Sequence, residues 1–170
     1  MESWIYDCSW LDKCINEPGW ISSDSSSFAT TETSFGADSL IITYTSVYES
    51  TDVFCPTSDS SSCTDNQFKF GVNDYKSSDS NSSYSLDGVV GLSSGNSADA
   101  DTDFILINKL LADNVITEEK FSYYFSDAQN SYIDFGTPNT SVYTEAVAYV
   151  PIDSEQNYWA ATFEGLSING

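Results

Sequence analysis

Histidine is absent from this chain, and only 5 of its 170 residues are Lys or Arg. The first absence removes Ser-His and Cys-His nucleophile systems and argues against a zinc site. The second stands against 26 Asp and Glu, for a net charge of −21. Phosphates would be repelled, so nucleic acid is excluded as a natural partner, and anionic membrane surfaces are disfavoured. No apolar run is long enough to span a bilayer. The 9 glycines never fall as G-x-G-x-x-G, which removes that phosphate-cradling loop. DADTD (99–103) begins like a calcium loop, but Phe104 stands where its glycine belongs and Leu110 where its glutamate belongs. We read it as a solvated helix entry, and no metal or cofactor is implied.

What is present is enough for one domain with a core: 40% hydrophobic and 15% aromatic residues. The acidity reads either as a soluble surface or as a charge that falls away as pH drops toward about 4. The four cysteines form two close pairs, and two short loops, Cys8–Cys14 and Cys55–Cys63, are the economical pairing. Disulfides imply an oxidising compartment. The sequons at Asn81 and Asn139 agree with that compartment. Yet the chain opens MESWIYDCSW, in mid-strand and without a leader. That opening reads as an incomplete secretory protein.

Short β-rich runs dominate: 39–48, 68–72, 121–125, 131–136, 145–152 and 158–168. Ser/Asp-rich stretches at 71–83 and 93–103 read as loops. One segment, DFILINKLLADN (103–114), has helical spacing. Asp103 or Thr102 is expected to cap its start, and Asn114 to take the left-handed position past its end. The pattern predicts packed antiparallel sheets with one helix. Elimination leaves paired-carboxylate chemistry, on sugars or on peptides.

An ordered set of segments then narrows the choice. LDGVVGL (86–92) is followed by the helix, NVITEEKFSYYF (114–125), SYIDFG (131–136), VYTEAVAYVPI (142–152) and YWAATFEGLSING (158–170). In this order they resemble the pepsin-like aspartic proteases. Earlier, SWIYDCSWLDKC resembles that family's L-W-V-P-S-x-x-C-x-x-x-x-C segment, and SDSSSFATT (23–31) its S-S-T-[FY] stretch. SLIITYTSVYES resembles the flap, the hairpin that closes over substrate.

The resemblance implies an all-β bilobal fold, here incomplete, with one or two short helices. Residues 1–145 would be most of the N-terminal lobe, and 146–170 the inter-lobe strand and the first strand of the second lobe. Tyr44, Thr45 and Ser46 would form the substrate-binding flap, with Trp4 supporting it. The family's Gly-[ST]-Gly after the flap tyrosine is replaced by Thr45, Ser46 and Val47. Asp87, Gly88 and Gly91 would form a structural turn beside the catalytic loop. No residue of the chain is assigned as catalytic, because neither D-T-G nor D-S-G occurs in it. The first aspartate would lie just upstream of Met1 and the second past Gly170. The implied function is an aspartic endopeptidase, whose two carboxyls activate a water between them. Its partner would be a peptide in the inter-lobe cleft, its state monomeric, and its location secreted or lysosomal/vacuolar. The alternatives are a non-catalytic pepsin-like protein and an unrelated β-sandwich binding module.

Overall fold

The computed structural model describes residues 3–6, 21–37, 45–65, 68–73, 88–93, 102–126, 130–143, 145–153, 159–165 and 167. In chain order its elements are β1 (Trp4–Tyr6), β2 (Ala29–Ala37), β3 (Thr45–Asp52), β4 (Phe68–Asn73), β5 (Gly88–Val89), α1 (Leu106–Ala112), β6 (Phe121–Tyr124) and β7 (Tyr132–Phe135). The first five form one sheet in the order β2-β3-β4-β1-β5, and β6 pairs with β7. Among the described residues the regular elements are mostly strands with one α-helix, as the β-rich runs predict.

The sheet's two faces follow from the pleat. On one, Phe35 and Val47 are paired across β2 and β3. The Phe35 ring meets Phe104 edge-on at 5.3 Å. Lys69, on the same face of β4, lies 5.7 Å above the Phe104 ring and ion-pairs with Asp103. On the other face, Phe68 stacks on Phe70 at 6.2 Å and meets Phe54 edge-on at 5.6 Å. Phe68 joins Leu106, Ile107, Leu110 and Ile116 in the buried core. Helical spacing puts Leu106 and Leu110 on one stripe of α1, and both are fully buried.

Gly71 lets this sheet close. A Cβ there would stand 2.4 Å from the Val47 Cγ2 atom and 3.2 Å from the Phe35 Cζ atom, so any side chain would push β3 away.

The helix is shorter than its sequence pattern. Its N-cap is Ile105, extended and without a side-chain cap bond. Thr102 and Asp103 instead lie in a 3-10 turn (Thr102–Phe104) one step upstream, so neither caps α1. The predicted end does hold: Asn114 has φ 58°, and the Val115 N–H reaches the Leu110 carbonyl at 2.9 Å. Lys109 fastens this end by bridging Asp113 (2.8 Å) and Asp65 (3.1 Å). Burial pulls the Lys109 ammonium down, but its bonds to the two carboxylates outweigh burial and raise it overall.

Two predicted strands do not form. The described residues of 145–152 and 158–168 lie in no ladder. Next to them the Asp153 N–H donates to the Ala160 carbonyl at 2.7 Å. β-pattern alone does not make a strand; it needs a neighbour to satisfy the backbone. Conversely, β2 (ATTETSFGA) forms where only its first residues drew notice in the sequence. The predicted 39–48 strand corresponds to β3 from Thr45 onward, and 39–44 lies outside the described residues.

Candidate active-site face

Two structures converge on the β4 side of the sheet: a long hairpin and a threaded inner strand. The hairpin is β2 and β3, registered from Ala29↔Thr51 to Ala37↔Thr45. Between Thr30 and Ser34 the register shifts, because three β2 residues (31–33) oppose one on β3, Glu49. The Thr30 and Thr31 hydroxyls fill that irregularity by donating to the Glu49 carbonyl at 3.3 and 3.2 Å. Thr45 and Ser46 are ladder residues opposite Ala37 and Gly36. Residues 38–44, which join the strands and include Tyr44, lie outside the described residues.

The hairpin's base is clamped at Asp52, whose side chain is buried. Its Oδ1 atom accepts from the Ser25 hydroxyl at 2.9 Å, the Ser27 hydroxyl at 2.5 Å and the Val53 N–H at 2.8 Å. Three donors compensate the burial of one carboxylate oxygen. The clamp joins the chain entering β2 to the chain leaving β3, at the end away from the tip. Sequence reasoning missed it, since nothing local links residues 25 and 52.

The inner strand β1 runs parallel to β4 and antiparallel to β5. Trp4 is opposite Gly71 on one side and Val89 on the other, and Ile5 is opposite Gly88. Ser3, buried at the head of β1, bonds both ways. Its carbonyl accepts from Gly71 N–H and its hydroxyl from Gly91 N–H, each at 2.9 Å. Gly88 and Gly91, expected at one turn, thus both lie against the segment that carries Trp4, through Ile5 and Ser3. Asp87 lies outside the described residues.

After β3 the chain makes a closed loop. Cys55 and Cys63 are disulfide-bonded. Phe54 and Thr64 close the loop's neck: each N–H donates to the other residue, to the Phe54 carbonyl and the Thr64 hydroxyl, both at 2.9 Å. Cys8 and Cys14 lie outside the described residues, as does Asn81. Asn139 stands exposed at the cap of the 3-10 turn Thr140–Val142.

A separate open groove of about 680 Å³ runs between α1 and β6, lined by Leu92, Ile107, Phe121, Tyr123 and Trp159 among others. The Trp159 Nε1–H donates to the Leu92 carbonyl at 2.6 Å, and its ring meets Phe121 edge-on at 5.7 Å. Ser93, Glu119 and Lys120 complete its described lining, which holds one carboxylate and no carboxylate pair. Glu118 beside it is held below the usual carboxylate range by bonds from the Lys120 ammonium and the Thr137 hydroxyl. Among the described residues no His, Cys, Asp or Glu side chains gather as a metal site.

Comparison with known proteins agrees with this architecture. The family model for eukaryotic aspartyl proteases matches residues 2–170. Over 87 residues, half of this chain, it is 31% identical to pepsin II-2/3 of Oryctolagus cuniculus and 31% identical to pepsin A of Suncus murinus. The matched stretch spans 22% of each of those proteins. A sheet with a clamped hairpin, an inner strand threaded between β4 and β5, and a match over nearly the whole chain lead to one assignment: the chain belongs to the eukaryotic aspartyl protease family, with a pepsin-like fold.

Proposed function

We propose that the protein is an aspartic endopeptidase that hydrolyses peptide bonds in an acidic compartment. The observation that carries this reading is the family match over residues 2–170. In this reading the β2–β3 hairpin is the flap, with Tyr44, Thr45 and Ser46 toward the substrate and Trp4 behind them. Asp87, Gly88 and Gly91 shape the turn next to the catalytic loop. Residues 1–145 make up most of one lobe, and 146–170 lead into the second. The peptide lies extended between the lobes of a monomer. Two aspartates outside residues 1–170 share a proton, activate a water and protonate the leaving amine. The Cys55–Cys63 disulfide supports a route through the secretory pathway to a secreted or lysosomal/vacuolar destination.

A second reading has one observation in its favour. Thr45, Ser46 and Val47 stand where the family's flap glycines belong, and they continue the ladder of β3. A cleft with a stiffer hairpin suits a non-catalytic, peptide-binding relative.

The test starts from the transcript on both sides of this sequence. The protease reading expects D-T-G shortly before Met1 and D-[ST]-G after Gly170. It further expects the full-length protein to cleave an unfolded protein substrate in acid. Replacing either aspartate by Asn then lowers the rate by at least about 100-fold. Other residues at both positions would overturn catalysis and leave the binding reading.

A further inference from the structure

Asn139 sits in a built turn. Its Oδ1 atom accepts from the Ser141 N–H at 3.1 Å and from the Ser141 hydroxyl at 2.6 Å. Its own N–H donates to the Asp134 Oδ2 atom at 3.1 Å. Asn139, Thr140 and Ser141 are all exposed. The hydroxyl two residues on is the one an N-x-[ST] acceptor requires, and here it bonds the acceptor's own amide oxygen. The Asn139 backbone bond to Asp134, two residues along β7 from Tyr132, sets this turn beside the Tyr132 phenol. Tyr132 in turn stacks on Tyr124 with ring centroids 5.1 Å apart, leaving an aromatic surface beside the turn.

We propose that Asn139 carries an N-linked oligosaccharide whose first sugar lies against the Tyr132 ring. This rests on the secretory route proposed above. The donor is a lipid pyrophosphate-linked oligosaccharide. Nδ2 forms a bond to its anomeric carbon, the bond from that carbon to the pyrophosphate oxygen breaks, and the pyrophosphate leaves with the electron pair. One Nδ2 proton passes to a base on the transferase. The transfer precedes folding, so the fold has only to leave room for the product, and an exposed turn does so. The C–H face of the sugar then meets an aromatic surface that is otherwise part-exposed to water.

The experiment uses the full-length protein expressed in a eukaryotic secretory host. Peptide N-glycosidase digestion in heavy-oxygen water marks each released site as a labelled aspartate. We expect the label at position 139 in the wild-type protein and in Ser141→Thr, and its loss in Ser141→Ala. Secreted protein with an unmodified Asn139 overturns the glycan while the secretory route stands. Protein retained outside the secretory pathway, with Cys55 and Cys63 reduced, overturns the route and the glycan with it.

Discussion

The two halves of the chain carry the same β-rich vocabulary and use it differently. In the sheet of β1–β5, apolar side chains face a helix or a neighbouring strand, and Val47, Leu106 and Leu110 are fully buried. From β6 onward Phe121 and Phe135 still pack on the core, but other residues of the same types face solvent: Phe125 is 81% exposed, Tyr149 83% and Phe163 74%. The difference is not in the side chains but in the neighbours. A strand with partners on both sides converts its apolar residues into core. A stretch whose described residues lie in no ladder does not.

That contrast can be broken by substitution. The largest effect belongs to Leu110→Ala, which hollows the core between α1 and Phe68. It should cost about 2–5 kcal/mol in a urea titration. Phe163→Ala, of similar or larger size change, should stay within about 0.5 kcal/mol in the 170-residue chain. Equal costs would mean that the exposed half is packed after all. Gly71→Ala comes next. The added methyl meets Val47 and should cost about 1–3 kcal/mol through overpacking. Near-neutral behaviour would mean that β3 moves freely on β4. Glu118→Gln is the smallest and sharpens the second half. The folded Glu118 pKa lies below its unfolded value, so its contribution is present above the unfolded value and is lost as pH falls through the folded one. Denaturation midpoints of wild type and variant should differ above the ordinary glutamate range and converge as pH falls below it. Curves that coincide throughout would show that the Lys120 and Thr137 bonds add nothing.

Legibility tracked how local each signal was. The period of Leu106, Ile107 and Leu110 announced the helix, and Asn114 its end, because both depend on residues a turn apart. The helix start was misplaced because a buried Ile105 takes the cap position, and burial is not a local property. β2 was hard to see because ATTETSFGA carries little apolar contrast. The strands expected over 145–152 and 158–168 were over-read, since their pattern says nothing about a partner. Gly71 and the Asp52 clamp were invisible for one shared reason. Each depends on atoms more than twenty positions away, Val47 in one case and Ser25 and Ser27 in the other. The family-like segments carried what local physics did not, namely the order of the pieces.

Ser3 also sets a clock. Its carbonyl waits for Gly71 and its hydroxyl for Gly91, so β1 cannot be paired until both have left the ribosome. At about 5–20 residues per second, the gap from residue 3 to residue 91 keeps an apolar strand waiting for roughly 4–18 s. Throughout that interval its backbone is available to any other strand nearby. The inner position that makes β1 secure in the finished sheet makes it the segment of this chain longest in need of protection during synthesis.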